Sequence, residues 1–328
     1  MLRTGLLLGG TALLVLLLWR LGPSEILNAL SRIGWYFVPV MLLGGAHHAM
    51  RALALRVCVL RLGLLRYRDA LAIRLSGEAI QSLTFTGPVL SQPTKAWLLE
   101  SHGLTLKEGF AASITEELIC AFVTVGMSVG GLVFLLVRFE PPSAVAGVAV
   151  LLVCLFGAFL ISSAVAIARR FYLIGTIIEG LGNLGVLRGR FQPNMAWIHR
   201  MEDLLLVVLR DSPGRFLTVL LIECAAQALL VFELFWLLRA LDLIVAASYP
   251  LVIESSTKAI GIAFLFVPLQ LGVSEGTYAV IFDVMGLSAA TGFAVAFFRR
   301  ARMLAVAGVG LATLAVLTRH RQHGTART

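Results

Sequence analysis

The segment GFAVAFFRRARMLAVAGVGLA, residues 292–312, is apolar at both ends, yet three arginines lie near its middle. They are Arg299, Arg300 and Arg302. An apolar segment of about 20 residues is long enough to cross the hydrocarbon core of a bilayer. A charge at the centre of such a helix costs roughly 2.5–3.5 kcal/mol even on insertion scales. A chain that keeps three charges there needs buried partners or a water-filled cavity for them.

The composition places this segment in an integral membrane protein. Of 328 residues, 59% are hydrophobic and 14% are charged, whereas about a quarter of a soluble domain is charged. Several other segments approach the length of a membrane span. We therefore predict an all-α fold, a polytopic membrane helical bundle that forms a single integral membrane domain over residues 1–328.

The sequence contains no pattern that is typical of a catalytic, metal or cofactor site. Its four cysteines and six histidines show no metal or redox spacing, and no nucleotide-binding motif is present. We expect no catalytic residue, no metal, no cofactor and no enzymatic activity. The net charge of +9 fits basic cytoplasmic loops that attract anionic lipid, so we expect no nucleic-acid partner.

Two regions are only partly apolar and contain helix breakers. Pro88 and Pro93 interrupt residues 69–99, and Pro268 with several polar residues interrupts residues 243–285. Backbone groups freed at such breaks must face protein or water. We predict a broken or re-entrant helical hairpin in each region. The predicted spans are Thr4–Trp19, read as a retained anchor, Trp35–Leu55, Leu106–Val137, Pro142–Ala168, Phe216–Leu238 and Leu287–Leu317.

Basic residues orient the predicted spans. The polar stretch Arg169–Arg215 is predicted to be a cytoplasmic loop with amphipathic helices on the membrane surface. The arginines between Arg51 and Arg68 are assigned to the same side. Because Lys and Arg concentrate in cytoplasmic loops, this arrangement predicts that both termini are cytoplasmic.

Two parts of the chain resemble each other. SGEAIQSLTFTGP (76–88) aligns with STKAIGIAFLFVP (256–268), and GLTLKEGFAASITEE (103–117) aligns with GLSAATGFAVAFFRR (286–300). The predicted topology gives the copies, about 69–138 and 243–318, opposite orientations. They therefore form an inverted repeat, a layout common in transporters.

The charges are exchanged between the copies. Glu78 aligns with Lys258, and Glu116 and Glu117 align with Arg299 and Arg300. We expect these arginines to face these glutamates at the repeat interface, either as buried structural ion pairs or as the wall of a polar cavity for a lipid head group. Lys95 and Glu275, near the breaks, are the strongest candidates to contact a substrate. The predicted cavity residues are Glu78, Lys95, Glu116, Glu117, Lys258, Glu275, Arg299 and Arg300, and candidates for proton coupling are Glu223, Glu233 and Glu254.

The second interrupted region carries a resemblance to a known family. PLQLGVSEGTYAVIFDVMGLS…FRRAR resembles the P-x-x-x-G-v-x-E…G…R signature of the lysylphosphatidylglycerol synthase transmembrane region, which flippase-like membrane proteins share. GPVLSQPTKAWLL resembles the G-E-x-x-R stretch of that family, with Lys95 where an arginine is usual. Ser91 and Gln92 stand where the family often has Gly and Glu, and residues 269–271 replace a more glycine-rich run. SQPTKAWLLE is similar to the branch found with hopanoid biosynthesis.

The resemblance implies translocation of a phospholipid, hopanoid or polyprenyl-linked lipid in a bacterial inner (plasma) membrane. In two-domain synthases this region is taken to flip an aminoacylated lipid made by a soluble domain, which we do not expect here. Two alternatives stay open. One is an integral membrane lipid transferase. The other is a non-catalytic scaffold of a lipid-modifying complex that holds lipid-biosynthesis enzymes through residues 169–215.

Overall fold

The computed structural model describes residues 34–61, 63–84, 87–169, 195–264, 267, 270 and 272–325. It confirms an all-α bundle, with ten α-helices and no strand within those ranges. The predicted span Thr4–Trp19 and residues 170–194 of the predicted loop lie outside the described residues. The helices are α1 (Phe37–Cys58), α2 (Tyr67–Leu83), α3 (Gly87–Glu100), α4 (Leu106–Phe139), α5 (Ser143–Arg169), α6 (Met195–Leu206), α7 (Pro213–Ala240), α8 (Ser248–Ala263), α9 (Val273–Val284) and α10 (Ala289–Thr325).

Four helices are long and apolar enough to cross a membrane. They are α4, α5, α7 and residues Ala289–Arg319 of α10, and they correspond to four of the predicted spans. α5 presents Leu151, Leu155 and Ile161 outward, as expected of a helix that faces lipid. α1 covers the predicted span Trp35–Leu55, but its polar residues keep it outside this set. The chain is a multi-pass membrane protein.

Each interrupted region consists of two short helices. α2, α3, α8 and α9 have 17, 14, 16 and 12 residues. At about 1.5 Å per residue, each is shorter than a hydrocarbon core of about 30 Å. The expected interruption at Pro93 is wrong, because α3 continues through this residue. The helix loses one backbone hydrogen bond there, but it is held between α2 and α4.

The order of the helices agrees with the repeat found in the sequence, and it adds one more helix to each copy. Adding 180 to the bounds of α2 gives 247–263, and α8 occupies Ser248–Ala263. Adding 183 to the start of α4 gives residue 289, the first residue of α10. The helix before each hairpin, α1 or α7, also belongs to the pattern. Each copy therefore has four helices, α1–α4 and α7–α10.

The two copies are interlocked. α2 of the first copy packs on α10 of the second, and α8 of the second copy packs on α4 of the first. Both contacts are close: Gly310 meets Leu75, and Gly131 meets Ser255. Leu75 and Ser255 differ by 180 in number, so they are matched positions. Such reciprocal contacts are the signature of a two-fold relationship.

The charged residues lie between two apolar cores. Along α7, Val219 and Ile222 belong to one core and Leu234 and Leu237 to the other. Glu223, Gln227 and Glu233 fall between these positions and are buried. In α1, Val40 and Ala52 likewise flank His47, His48 and Arg51. The bundle therefore holds a polar layer at mid-depth.

Candidate functional site

Glu116 of α4 is the centre of a charged cluster in the first copy. Its Oε1 lies 2.6 Å from Arg51 Nη2 and 3.9 Å from Arg74 Nε, and its Oε2 lies 3.2 Å from Lys95 Nζ. The side chains of Glu116 and Lys95 are fully buried. The three cations come from α1, α2 and α3, so Glu116 joins the whole first copy.

Two further carboxylates of the first copy belong to this first cluster, and Glu223 of α7 lies 3.5 Å from Arg51 Nε. Glu117 Oε2 accepts hydrogen bonds from Gln92 Nε2 and Arg51 Nη2, both at 3.2 Å. Arg74 Nη2 donates to Glu78 Oε2 at 3.0 Å, one turn along α2. These two pairs connect the hairpin α2–α3 to itself and to α4.

Arg299 of α10 has the corresponding position in the second copy. It forms an ion pair and hydrogen bond with Glu254 of α8, donates to the hydroxyl of Tyr278 of α9, and lies 3.3 Å from Glu233 of α7. Lys258 Nζ is 3.3 Å from Glu254 Oε1, one turn along α8. This second cluster again draws on all four helices of its copy.

The other arginines of the opening segment also have carboxylate partners. Arg302 pairs with Glu233. Arg300 Nε donates to Glu275 Oε1 at 2.6 Å. Glu275 also accepts from the backbone N–H of Gly272 at 3.0 Å, which caps the start of α9. All three arginines are thus neutralised inside the bundle.

The two clusters have the same contacts with exchanged polarity. Arg74 contacts Glu78 and Glu116, whereas the matched Glu254 contacts Lys258 and Arg299. The matched positions differ by 180 or 183 in residue number. They are Arg74 and Glu254, Glu78 and Lys258, Glu116 and Arg299, Glu117 and Arg300, Gln92 and Glu275, and Lys95 and Tyr278.

The expected pairing across the repeat interface is wrong. Glu116 and Glu117 pair with cations of α1, α2 and α3, and Arg299 pairs with acids of α7 and α8. The reason is that the first three helices of each copy carry side chains whose charges are opposite to those on its fourth helix, α4 or α10. The loop assignment of Arg51 is also wrong, because this residue is 6% exposed and lies within the polar layer.

A polar cavity of about 380 Å³ opens beside the second cluster. Polar side chains from α1, α4, α7, α8, α9 and α10 form its wall. Its charged lining residues are Arg51, Lys258, Arg299, Arg302 and Glu254. Four cations and one carboxylate therefore face this space.

An apolar groove of about 840 Å³ adjoins the polar cavity. It runs between α4, α7 and α8, with Phe122, Gly126, Phe232 and Leu251 among its lining residues. Gln227 of α7 lines both spaces. Its amide donates to Thr124 Oγ1 at 3.2 Å and accepts from Lys258 Nζ. The boundary between polar and apolar space therefore falls at this side chain.

The predicted cavity residues divide into three groups. Lys258 and Arg299 line the polar cavity. Arg300 and Glu275 form a separate pair beside the start of α9, and Glu275 is fully buried. The remaining four belong to the first cluster, where Lys95 is occupied by Glu116 and Glu117. They are Glu78, Lys95, Glu116 and Glu117.

Sequence reasoning missed several members of the two clusters. The sequence patterns do not single out Arg74, and they place neither Arg302 nor Gln227 at a site. A signal for Arg74 was present: RLSGE and ESSTK each place opposite charges four residues apart, at matched positions. Charge reversal conceals that match from a search for identical residues.

The described part of the chain contains no group of three or more metal-binding side chains. Comparison with family models matches residues 4–310 to the model described as "Lysylphosphatidylglycerol synthase TM region". No curated protein and no solved structure matches the chain.

Proposed function

Because the chain belongs to the family of the lysylphosphatidylglycerol synthase transmembrane region, we propose that it moves a polar-headed lipid between the leaflets of a bilayer. Membership gives the protein a role connected with membrane lipids. The transport of a lipid goes beyond what family membership shows. The observation that carries it is the two-part site in which Gln227 separates a polar cavity from an apolar groove.

The two parts suit the two ends of a lipid. Ligand pockets have volumes of roughly 300–1,000 Å³, so the polar cavity of about 380 Å³ has room for a head group and little more. The groove, at about 840 Å³, provides apolar walls for acyl, hopanoid or polyprenyl chains. A head group at mid-depth lies where transfer between leaflets must pass.

Inverted repeats with broken helices support movement of this kind. Transporter sites commonly lie at the repeat interface, near the bilayer midplane, and are lined by the ends of half-helices. Here the start of α9 contributes Val273 and Ser274 to the cavity wall. The charged layer supplies polar contacts that a head group otherwise loses when it leaves water.

The proposal is of a transporter without an enzymatic step, in a bacterial inner (plasma) membrane with both termini cytoplasmic. Its partners would be the transported lipid, anionic lipid at the cytoplasmic face and lipid-biosynthesis enzymes. The scaffold alternative predicts that activity depends on residues 169–215 and not on the groove.

The groove offers a direct test. Gly126 lines it, and a Cβ atom added there has no neighbouring heavy atom within 4 Å. We expect the indole of Gly126→Trp to occupy the groove. Gly130, one turn further along α4, has the same open surroundings but lies outside the groove, so Gly130→Trp is the matched control.

The measurement is movement of head-group-labelled lipids across the bilayer of proteoliposomes. We expect the wild type and Gly130→Trp to accelerate this movement and Gly126→Trp to lose most of the acceleration. Failure of the wild type to move phospholipid, hopanoid and polyprenyl lipids would overturn the proposal. So would full activity of folded Gly126→Trp.

A further inference from the structure

We propose that the polar cavity selects an anionic, phosphate-bearing lipid head group and holds it with Lys258, Arg299 and Arg302. This inference rests on the proposed transport function and names the class of its substrate. It follows from which charges the cavity presents to a ligand.

Cations dominate the cavity wall, and the one carboxylate in that wall, Glu254, is almost fully buried. The side chains of Lys258, Arg299 and Arg302 are 20%, 12% and 14% exposed. Their carboxylate partners are almost fully buried, with Glu254 at 1% and Glu233 at 0%. A ligand that enters the cavity therefore meets N–H donors first.

These cations have N–H groups that donate no hydrogen bond within the described part of the chain. A guanidinium carries five N–H groups and an ammonium three. Among the described residues, Arg299 and Arg302 each donate through Nη1, and Arg299 Nε lies in ion-pair contact with Glu233. Nη2 of either side chain donates no hydrogen bond to the described part of the chain. A phosphate oxygen can accept from such a group without breaking the existing ion pairs.

The start of α9 adds a favourable dipole. Val273 and Ser274, its first two residues, line the cavity, and a helix N-terminus favours anions. Glu275, the acid of that turn, is occupied by Arg300 and by the backbone of Gly272. Its charge is thereby neutralised on the side away from the cavity lining.

Three of the four cations that line the cavity belong to the second copy, and the fourth is Arg51 of α1. The positions matched to Lys258 and Arg299 are Glu78 and Glu116 in the first copy. There the more exposed side chains are Glu78 at 21% and Glu117 at 33%, with Lys95 fully buried behind them. The repeat architecture therefore does not by itself impose a cationic cavity. Most of the positive lining comes from side chains of α8 and α10, and Arg51 of α1 adds the one cation from the first copy.

The test is binding in detergent, which needs no transport. A phosphatidylglycerol with a fluorescent acyl chain is displaced by unlabelled phosphatidylglycerol, by phosphatidylcholine with the same chains, or by inorganic phosphate. We expect phosphatidylglycerol to bind about tenfold or more tightly than phosphatidylcholine, because both lipids carry the same phosphodiester but the choline ammonium is repelled by the lining cations. Inorganic phosphate should displace the probe only at far higher concentration, because it cannot use the groove.

Two lysines provide matched variants. Lys258→Gln should weaken phosphatidylglycerol binding about tenfold and Lys258→Arg should restore it. Lys107→Gln should have no effect, since Lys107 is the second residue of α4 and lines neither space. Equal binding of phosphatidylglycerol and phosphatidylcholine, or no loss in folded Lys258→Gln, would overturn the inference while leaving transport intact. Selective binding without transbilayer movement would instead overturn the transport function alone.

Discussion

Arg74 and Glu254 occupy the same position in the two copies but carry opposite charges, and each is paired with a residue of opposite charge on the last helix of its own copy. Arg74 lies against Glu116 of α4, and Glu254 lies against Arg299 of α10. The same set of contacts thus occurs in both copies, with acidic and basic residues exchanged. Seven cations and seven carboxylates take part in the ion pairs of this layer, so the pairs leave no net charge at mid-depth.

The burial of Arg74 predicts a large effect of its removal. Arg74→Gln removes the ion-pair partner of Glu78 and one of the three cations around Glu116, and losing one partner of a buried pair costs about 3–5 kcal/mol. Arg61→Gln is the control, because Arg61 pairs with Glu108 at 3.1 Å while 57% exposed, and exposed pairs are worth about 0–1 kcal/mol. Thermal unfolding in detergent measures both. Equal melting temperatures for the two variants would contradict the assignment of a buried network.

Neighbouring acids on α4 should differ in importance. Glu116 is fully buried and contacts three cations, whereas Glu117 is 33% exposed. We expect Glu116→Gln to lower thermal stability by several degrees more than Glu117→Gln, because water can solvate the groups that Glu117 leaves unpaired. The reverse order would mean that Arg51 depends mainly on Glu117.

Glycines at the interlock predict a packing effect. A methyl group on Gly131 would collide with the Ser255 side chain, but one on Gly130 meets no neighbour within 4 Å. Gly131→Ala should therefore cost about 1–3 kcal/mol by overpacking, and Gly130→Ala should cost nothing comparable. The matched contact gives a second pair, Gly310→Ala against Gly308→Ala. Unchanged unfolding of both Gly131→Ala and Gly310→Ala would argue against close packing of α4 on α8 and of α2 on α10.

The start of α4 depends on a capping box. Thr105 Oγ1 accepts from the Glu108 N–H at 3.3 Å, and Glu108 Oε2 accepts from the Thr105 N–H at 2.8 Å. Thr105→Ala should lower the free energy of unfolding by about 1 kcal/mol, whereas Thr105→Ser should retain most of it. A chemical denaturation series compares the two. Identical unfolding of Thr105→Ala and wild type would show that the cap is replaced by water.

The sequence predicts the helices better than their partners. Long apolar runs set the bounds of α4, α5 and α7 to within three residues, since membrane thickness fixes the length of a span. α10 continues eight residues beyond the predicted end at Leu317, through the basic segment that follows the apolar run. Identities such as Gly109 with Gly292 reveal the repeat because both glycines allow close packing, against Ala96 and Tyr278 respectively. Local pattern cannot tell which cation meets Glu116, because that depends on how α1, α2 and α3 cross α4.

Arg51 illustrates the same limit. A run of arginines after an apolar segment is typical of a cytoplasmic loop, and Arg56 and Arg61 fit that pattern. Arg51 differs only by lying one turn deeper in α1, where Glu116 and Glu223 are within reach. Sequence patterns locate the end of a helix only to within one or two residues. They therefore do not determine whether a residue near that end, such as Arg51, is buried in the bundle.

The interlock of the two copies also governs how the chain is made. Ser76 of α2 contacts Thr313 of α10 at 3.2 Å, across 237 residues of sequence. At about 5–20 residues per second, a ribosome needs roughly 10–50 s between these points. During that time the hairpin α2–α3, with Arg74 and Lys95, lacks α10, the helix that completes its burial. The half-made protein must therefore be sheltered, by the insertion machinery or by its own nascent helices, until its last segment emerges.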